Sequence, residues 1–544
     1  MPTYSDEDRQ RVLSDEAWSH VFYLTYNAIF VAIFLLLALF NAFHSQNSLL
    51  EHVSRSASST TLSETTPLTG RSRVRSSSPK YRVVVRRIQS LLIYSPIRGL
   101  SVGAILLLLG YYGLTILYTL VNTDFLKPVV ADRAGLIMIA NIPLYFFLGA
   151  RTGLFVSWTT WSHDQYRLLR TNVGFTICAL AIVFTALNIS DREQRLIDSV
   201  AGLISFATLM LNLVVCVFED VLLRINHQEL ALDPLKFVLI SVALVFLFIY
   251  DRLSRAYVIV GAVVFLVDIL TRLRDWRHFV AHAEYFEELS SGSSPYTSSG
   301  TAVKLDISIH SSARDYEMRW SAGQYIYLYV PLERKLRWKI HEATIVSLKE
   351  SGRLQLLLTS KASKASIAMP AADSFKVSIQ GPYGYSPRLY LDHTAILLAQ
   401  GKGVTFTFPL ALSYARRLQR YTWQRAERVY IPDIFFLWEV ETRSHLAWVD
   451  LNEFKLFPNV KILIWIKDEQ VQDVDLLDNL SSLIRDGNPG EQSAIPFESE
   501  KVVRDRISVV VAAAPALVQG ASNLVSGVLW EGEKDVKLHA EVVQ

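Results

Sequence analysis

The part of this sequence best suited to hold a ligand is a Gly-rich turn between a predicted strand and a predicted helix. Residues Gln400-Gly401-Lys402-Gly403-Val404-Thr405 follow a run of apolar strand formers at 394–399 and precede a helical pattern at 406–420. Glycines at this position let backbone N–H groups approach a phosphate, and the start of the helix favours a negative charge. Lys402 would add a positive charge there. Because Gly-rich turns are common, the prediction of a phosphate site depends on the strand and helix around this one.

Other reactive residue types do not form a recognisable site. The two cysteines, Cys178 and Cys216, both lie in apolar runs, so they cannot build a disulfide framework or a cysteine-based zinc or iron–sulfur site. The net charge of +3 gives no support for a nucleic-acid partner. The sequence therefore predicts no metal site and identifies no catalytic residue.

Two kinds of pattern follow one another in the C-terminal half. Residues 300–390 contain short alternating segments, such as Gly323-Gln324-Tyr325-Ile326-Tyr327-Leu328-Tyr329-Val330-Pro331, and further strands are expected at 342–348, 353–359 and 375–380. Short strands at this spacing predict a small antiparallel barrel.

Residues 391–544 alternate strand and helix patterns instead. Strands are expected at 394–399, 428–440, 460–466 and 507–513, with the helix at 406–420 after the first of them. This order predicts a doubly wound α/β domain. A barrel followed by such a domain is the plan of flavin–nicotinamide reductases.

The N-terminal half is apolar enough to cross a membrane several times. Hydrophobic residues make up 51% of the 544 residues, and the mean hydropathy is +0.25. Residues 1–20 are charged and no small-residue cleavage site follows them, which argues against a signal peptide. We expect seven spans, at 21–43, 99–121, 135–151, 173–189, 200–218, 236–250 and 256–271.

The placement of basic residues predicts the orientation. The linker 44–98 is Ser-rich and basic, so we expect it to be cytoplasmic and disordered. Seven spans then place residues 1–20 on the non-cytoplasmic side and the soluble half in the cytoplasm. If 236–271 formed one span, the soluble half would lie outside. Because that half has a nucleotide-binding pattern, we favour two spans within a membrane domain at 99–271.

The motifs of both halves resemble the ferric reductase and NADPH oxidase family, most closely its fungal ferric-reductase-like members. In the membrane half the resemblance lies in Asp132-Arg133-Ala134-Gly135, Ala140-Asn141-Ile142-Pro143-Leu144, Gly-Ala-Arg at 149–151, Thr159, Ser162 and Asp164. In the soluble half it lies in the segment 323–331, the Gly-Pro-Tyr-Gly at 381–384, the segment 401–411 and Trp438-Glu439-Val440. The resemblance covers residues from about 100 to 544. It depends on the order and spacing of the motifs, since each motif alone is weak.

The resemblance implies electron transfer from NADPH to FAD in the cytosol, then through two haems to a metal or oxygen across the membrane. The haems need histidines in pairs 14 residues apart on two helices, about 21 Å along each axis. Here the first pair of positions holds Arg170 and Phe184, which offer iron no lone pair. The second pair falls on Ile225 and Leu239; a small gap would bring His227 to the first position but leave Ser241 at the second. We therefore do not expect haem.

The resemblance also indicates where FAD would bind. The motif that meets the flavin ring reads His341-Glu342-Ala343-Thr344, in which Thr344 keeps a hydroxyl that can hydrogen-bond the ring. Gly381 belongs to the matching Gly-Pro-Tyr-Gly. Tyr325 and Tyr327 either stack on the flavin or pack the barrel. The pyrophosphate segment reads 361–366, whose lysines and serines either contact phosphate or form a solvated loop.

The dinucleotide site that the resemblance implies is altered. The family's Ala-Gly-Gly-x-Gly reads Ala399-Gln400-Gly401-Lys402-Gly403, so two of its three glycines remain, followed by Val404 and Thr405. The Cys-Gly-Pro beside the nicotinamide reads Ala513-Ala514-Pro515. The absence of the cysteine removes a polarisable contact near the hydride path, but this change does not by itself abolish dinucleotide binding.

Three functions remain in competition. The first is a membrane-bound NAD(P)H- and FAD-dependent oxidoreductase that reduces a small-molecule or protein acceptor without transmembrane haem transfer. The second is a non-catalytic scaffold or regulatory relative. The third is a conventional metalloreductase, which would need an electron carrier across about 30 Å of hydrocarbon.

Overall fold

The structure is a computed structural model, and it describes most of the chain in separate segments. The described residues are isolated helical positions within 25–29 and 204–248, and the ranges 80–96, 100–121, 127–150, 163–191, 255–286, 302–308, 318–331, 338–359, 374–384, 386–387, 389, 394–424, 432–467, 476–485, 506–531 and 534–542.

Four described helices are long and apolar enough to cross a membrane. After helix α1 (Lys80–Ile93) come α2 (Val102–Leu120), α3 (Lys127–Gly149), α4 (His163–Asp191) and α5 (Arg255–Arg274), and the candidate spans cover Val102–Leu120, Val129–Gly149, Gln165–Leu187 and Arg255–Arg274. Helix α5 has 20 residues and is long enough to cross a membrane by itself, so the predicted span at 256–271 does not need residues 236–250 to reach that length. The expected spans at 21–43, 200–218 and 236–250 lie largely outside the described residues.

Helix α3 lies at the centre of the described bundle and packs against α2, α4 and α5. Its Asn141 is fully buried and accepts hydrogen bonds from Tyr26 and Tyr111 at 3.2 and 3.1 Å. A buried amide in hydrocarbon needs such partners, because no water is available to replace them. Asn141 therefore joins α3 to α2 and to the segment that contains Tyr26.

The expectation of disorder through 44–98 is wrong at its C-terminal end. Residues Lys80–Ile93 form α1, and this helix packs through its buried Ser90 against the C-terminal helix of the soluble half. Composition alone predicted a solvated linker, but tertiary contacts stabilise the helix. Residues 44–79 lie outside the described part of the chain.

Six antiparallel strands form the barrel, which begins earlier than the predicted residue 300. β1 (Trp276–Phe286) follows α5 after a single residue, and the other strands are β2 (Ala302–Ser308), β3 (Tyr325–Pro331), β4 (Trp338–Thr344), β5 (Arg353–Thr359) and β6 (Ser374–Tyr383). Their order is β4-β3-β6-β1-β2-β5, and a bridge between Ile345 and Leu356 closes the two ends. The strand expected at 342–348 is β4, whose centre lies four residues earlier than predicted. It ends at Thr344 because the next residue, Ile345, already pairs with Leu356 of β5.

A five-stranded parallel sheet follows the barrel. Its strands are β7 (Thr394–Gln400), β8 (Ile434–Val440), β9 (Val460–Ile466), β10 (Arg506–Ala513) and β11 (Asp535–Val542), in the order β11-β10-β7-β8-β9. Helix α6 (Val404–Gln424) covers one face, and α7 (Leu476–Arg485) and α8 (Pro515–Glu531) cover the other. The continuous apolar runs of the central strands fit burial on both faces. The doubly wound prediction is confirmed, although β8 starts at Ile434 rather than 428 and β11 was not expected.

Candidate functional site

The outer face of β3 brings together three of the residues expected to meet a flavin. Ile326, Leu328 and Val330 point into the barrel and are fully buried, so the alternating Tyr325 and Tyr327 lie outside it. Strand register places Thr344 opposite Tyr325 and Glu342 opposite Tyr327. The result is a half-exposed aromatic face with a hydroxyl at its edge, which could hold a flat conjugated ring.

The Gly-Pro-Tyr-Gly turn completes this aromatic face. The Tyr383 ring lies 6.3 Å from the Tyr325 ring and 6.0 Å from the Tyr327 ring, measured between centroids. Gly384 has φ +88°, and a Cβ at this residue would lie 3.0 Å from the Tyr325 ring. The glycine therefore meets both a backbone and a space requirement. Gln324 donates to its carbonyl oxygen at 3.2 Å and fixes the turn against β3.

The structure does not bring His341 to the same face. His341 lies opposite Leu328 in the register and shares its strand face with Ala343, which is 3% exposed in the barrel core. Thr344 is three residues from His341, and an odd spacing places two residues of a strand on opposite faces. That spacing could have separated the two residues from sequence alone. The segment 361–366 lies outside the described residues.

The Gly-rich turn has one glycine that faces open space and one that is enclosed. Gly401 has φ +52° and no atom within 4 Å of the position its Cβ would take. At Gly403 a Cβ would lie 1.9 Å from the carbonyl oxygen of Ala512. The first is the kind of cradle in which a ligand can approach the backbone. The second allows helix α6 to pack closely against β10.

Val404 and Thr405 form part of the turn itself. Val404 is fully buried, and its N–H donates to the carbonyls of Gly401 and Lys402. The Thr405 hydroxyl donates to the Lys402 carbonyl at 2.9 Å. Of the residues expected at this site, Gly401 therefore remains with open space in front of it.

Gln400 spans the carboxyl edge of the sheet, a feature that the sequence did not predict. Its Nε2 donates to Glu439 Oε1 at 3.1 Å, and its Oε1 accepts from the Ala514 N–H at 3.1 Å. Lys467 pairs with the same Glu439 oxygen at 2.5 Å. This side chain lies where parallel sheets bind dinucleotides, beyond the ends of β7, β8 and β10. Pro515, expected near the nicotinamide, is the first residue of α8 and follows directly.

The barrel and the α/β domain meet beside both sets of residues. Gly323 has φ +83°, and a Cβ there would lie 3.2 Å from the Phe406 ring and 3.5 Å from Leu410. Gly323 is two residues before Tyr325, and Phe406 is three residues after Gly403. The aromatic face and the Gly-rich turn therefore lie on either side of one domain contact.

Phe406 also stacks on His539 of β11, with centroids 5.6 Å apart and an interplanar angle of 14°. Burial lowers the pKa of His539 from 6.5 to about 4, because the charged imidazolium would lose solvation. His539 is therefore neutral at physiological pH.

The residues at the expected haem-ligand positions do not fit a haem. A Cβ at Gly135 would lie 2.9 Å from the Phe184 ring, and one at Gly149 would lie 3.0 Å from Arg170 Nε. The Arg170 guanidinium also lies 5.1 Å from the centroid of the Tyr145 ring. Phe184 and Arg170 therefore both pack against α3, and neither side chain can donate a lone pair to iron. Ile225, His227 and Ser241 lie outside the described residues, within which no cluster of metal-ligating side chains occurs.

Comparisons with known proteins support the FAD-binding character of the barrel. Residues 303–387 match the family model of an FAD-binding domain. Ferric reductase transmembrane component 5 of Saccharomyces cerevisiae is 33% identical over 109 residues, which are 18% of this chain and 16% of that protein. The chain thus matches about a sixth of the length of this curated relative.

Solved structures with low sequence identity also align with the chain. A flavohemoglobin from Malassezia yamatoensis with bound FAD and heme is 13% identical, with a TM-score of 0.36, over 76% of this chain and 96% of its own. A ferredoxin-NADP+ reductase from Plasmodium falciparum is 13% identical, with a TM-score of 0.33, over 49% of this chain and 97% of its own.

The residues that match the family model include the segment 323–331 and the Gly-Pro-Tyr-Gly at 381–384. Residues 303–387 are thus similar to an FAD-binding domain, and part of the chain is similar to a ferric reductase transmembrane component, in agreement with the resemblance predicted from the sequence.

Proposed function

We propose that this protein is a membrane-bound NAD(P)H-dependent flavoprotein oxidoreductase that does not pass electrons across the membrane through haem. The observation that carries the proposal is the contact between Gly323 and Phe406, which joins the aromatic face of the FAD-binding-type barrel to the Gly-rich turn of the parallel sheet. A flavin on the first and a dinucleotide on the second would meet at this contact. In this proposal the N-terminus is non-cytoplasmic and the soluble half is cytoplasmic.

The barrel residues would bind and orient FAD, which when bound supplies the ability to accept two electrons and release them singly. Tyr325 and Tyr327 offer ring faces to a flat heterocycle. The Thr344 hydroxyl, opposite Tyr325, can hydrogen-bond its edge. Gly384 keeps the Tyr383 turn close enough to border the same face.

The sheet residues would bind the dinucleotide. Gly401 leaves room for a phosphate beside the backbone, and Lys402 provides a positive charge in the same turn. Gln400 must release Glu439 and the Ala514 N–H before a nicotinamide can lie against the ends of β7 and β10. Hydride transfer would therefore need a local rearrangement of one side chain.

The acceptor in this proposal lies on the same side of the membrane as the flavin. Arg170 and Phe184 occupy the positions at which the resemblance places the ligands of a transmembrane path, and both are packed against α3. A small organic molecule or a soluble electron-transfer protein could approach the half-exposed aromatic face directly. The membrane domain would then serve as an anchor for the reductase.

A non-catalytic relative is the second candidate, and the Gln400 contacts favour it. A side chain hydrogen-bonded to both β8 and the β10–α8 turn stabilises the sheet edge without a ligand. A protein that had lost its chemistry could keep this arrangement as a fixed structural element. The two candidates differ in whether flavin and dinucleotide still bind.

An absorbance spectrum of the full chain, purified in lipid nanodiscs and supplied with FAD, tests the proposal. We expect flavin bands near equimolar with protein and bleaching of those bands by NADPH or NADH under anaerobic conditions. Flavin bands that no reduced nicotinamide bleaches would support the non-catalytic candidate, as would the absence of flavin after its addition. A Soret band would overturn the haem-free proposal in favour of a conventional metalloreductase.

Matched variants connect such a spectrum to the site. Tyr325→Ala removes a ring from the aromatic face, whereas Tyr414→Phe removes only the hydroxyl of a buried tyrosine of α6 and keeps its ring. We expect the first variant to lose FAD affinity and the second to keep it. Equal FAD affinity in both variants would place the flavin elsewhere.

A further inference from the structure

Helix α1 has one face that packs on the soluble half and another on which apolar side chains remain largely exposed among the described residues. Ser90 is 2% exposed, and its hydroxyl donates to the Ser526 carbonyl of α8 at 2.9 Å. On the opposite side Ile88, Leu91 and Leu92 are 51%, 52% and 41% exposed. At 100° per residue these three side chains form one apolar stripe, turned away from Ser90.

The end of α1 is fixed to the start of a membrane span. The Val102 N–H, at the first residue of α2, donates to the Tyr94 carbonyl at 2.8 Å. A Cβ at Gly103 would lie 3.5 Å from the Leu92 Cβ. Helix α1 therefore reaches the membrane boundary through a compact corner rather than a long connection. Its apolar stripe lies within a few residues of the point at which the chain enters hydrocarbon.

The charge of α1 suits an anionic surface. Its sequence contains Lys80, Arg82, Arg86 and Arg87 and has no acidic residue. The Arg87 guanidinium lies 5.4 Å from the centroid of the Trp530 ring of α8, and Trp530 is itself 51% exposed. Basic residues beside an apolar stripe, with an exposed tryptophan nearby, are typical of helices that lie in the membrane interface.

We propose that α1 is an in-plane membrane helix that binds anionic phospholipids and holds the α/β domain against the bilayer. The stripe of Ile88, Leu91 and Leu92 enters the boundary between headgroups and acyl chains, and Arg87 pairs with headgroup phosphate or carboxylate. Ser95 extends the attachment to α8, since its N–H donates to Asn523 Oδ1 at 2.8 Å and its carbonyl accepts from Gln519 at 2.9 Å. Lipid binding by α1 would thereby set the distance between the sheet and the membrane.

The occupant of this stripe is a bilayer rather than a second copy of the chain because α2 begins beside it. The exposed apolar residues of α2, such as Leu106 and Leu109, are 55% and 62% exposed and must meet lipid in a spanning helix. The α1 stripe lies next to this helix, since a Cβ at Gly103 of α2 would be 3.5 Å from the Leu92 Cβ. In the orientation proposed above, on which this step rests, α1 also faces the cytoplasmic leaflet, whose anionic lipids attract Lys and Arg.

Spin-label accessibility in the full chain tests the proposal. Cys178 and Cys216 are replaced by alanine, and a nitroxide is placed at Leu91→Cys or, as a control, at Arg420→Cys on α6, which covers the opposite face of the sheet. The protein is reconstituted in nanodiscs of phosphatidylcholine or of an equimolar mixture of phosphatidylcholine and phosphatidylserine. Relaxation by oxygen, which concentrates in lipid, is compared with relaxation by a water-soluble nickel chelate.

We expect the ratio of oxygen to nickel relaxation to be several-fold higher at Leu91→Cys than at Arg420→Cys, and higher again with phosphatidylserine. The additional change Arg87→Glu should remove the phosphatidylserine increment. A Leu91→Cys label that nickel reaches as readily as it reaches Arg420→Cys would overturn the proposal. Dipolar broadening between labels that grows with the number of copies per disc would overturn it in favour of self-association, and so would a ratio insensitive to both lipid charge and Arg87→Glu.

Discussion

Gly403 and the carbonyl of Ala512 are so close that a Cβ on the glycine would lie 1.9 Å from the carbonyl oxygen. This contact fixes the start of α6 against β10, and it gives Gly403 a packing role. Gly401, two positions earlier, has open space around its missing Cβ and a φ of +52°. Within one motif, Gly403 therefore allows close packing, whereas Gly401 provides a left-handed backbone conformation beside open space.

The first prediction follows from that difference. Gly403→Ala should destabilise the soluble half by about 1–3 kcal/mol or more, because the backbone of β10 or α6 must shift. Gly401→Ala should cost about 1–2 kcal/mol from its left-handed backbone alone. Thermal unfolding of the full chain measures both. Gly527→Ala in α8, with no atom within 4 Å of the Cβ position, is the control and should be neutral or stabilising.

The same contact shows which glycine can test dinucleotide binding. A bulky residue at Gly403 would stop activity by disrupting the sheet, so its loss of activity would carry no information on binding. Gly401 variants that unfold near the wild-type temperature are informative. A Gly403→Ala variant as stable as the Gly527→Ala control would contradict the packing role of Gly403.

The second prediction concerns Gln400. Gln400→Gly removes the side chain that joins Glu439 to the Ala514 N–H and should raise affinity for NAD(P)H, since the dinucleotide no longer has to displace it. Loss of these hydrogen bonds should lower stability by about 1 kcal/mol. Gln400→Leu, which keeps the bulk and removes the hydrogen bonds, should lose the same stability without the gain in affinity. Titration calorimetry with NADP+ compares them; weaker binding to Gln400→Gly would show that the side chain helps to hold the ligand.

The third prediction is a pH dependence at His539. Its folded-state pKa of about 4 lies below the ordinary 6.5, so the unfolded chain takes up a proton first as the pH falls. Stability from this residue is present above pH 6.5 and is lost between about 6.5 and 4. A shift of this size corresponds to at most about 3 kcal/mol. Because about a fifth of the side chain, 22%, reaches solvent and Glu541 lies 3.8 Å away, we expect about 1–2 kcal/mol.

Urea unfolding at pH 7 and pH 5 checks this expectation. His539→Phe keeps a ring against Phe406 and cannot titrate, so its stability should fall less between the two pH values than that of the wild type. The raised pKa of Glu453, caused first by its burial, acts in the opposite direction and is common to both proteins. An identical loss of stability in His539→Phe would assign the acid sensitivity to other groups.

The sequence predicted those parts of the fold whose signal is local. β7 and β10 are continuous apolar runs between turn residues, and both were found within a residue of their expected bounds. Helix α1 could not be predicted in this way, because Ser90 is buried by Ser526, a residue 436 positions away. β1 was not predicted because only one residue separates it from α5, so no turn signal marks where the strand begins.

The candidate site shows the same division. Tyr325 and Thr344 were both named from the sequence as candidate flavin contacts, and the strand register places them opposite each other. The two hydrogen bonds of the Gln400 side chain depend on Glu439 and Ala514, which are far away in the sequence, so no local pattern predicts them. A glutamine in place of a glycine was visible as a departure, but its partners required the three-dimensional fold.

The last prediction concerns the packing that occupies the expected haem positions. Gly135 and Phe184 fit each other, since a Cβ at the glycine would lie 2.9 Å from the ring. Gly135→Ala should therefore destabilise the bundle by about 1–3 kcal/mol. In a Phe184→Leu background the same change should cost less, because the smaller side chain leaves room. Gly110→Ala, with no atom within 4 Å of the Cβ position, is the matched control.

Unfolding of the full chain in detergent measures these differences, and additive effects of the two changes would contradict the contact. The double variant Arg170→His and Phe184→His places histidines at the two expected positions of α4, yet we expect no Soret band after haem addition. These positions face Gly149 and Gly135 of α3 at contact distance, so an imidazole there would meet a helix backbone rather than a porphyrin. Appearance of a Soret band would show that α3 and α4 can separate to admit the cofactor.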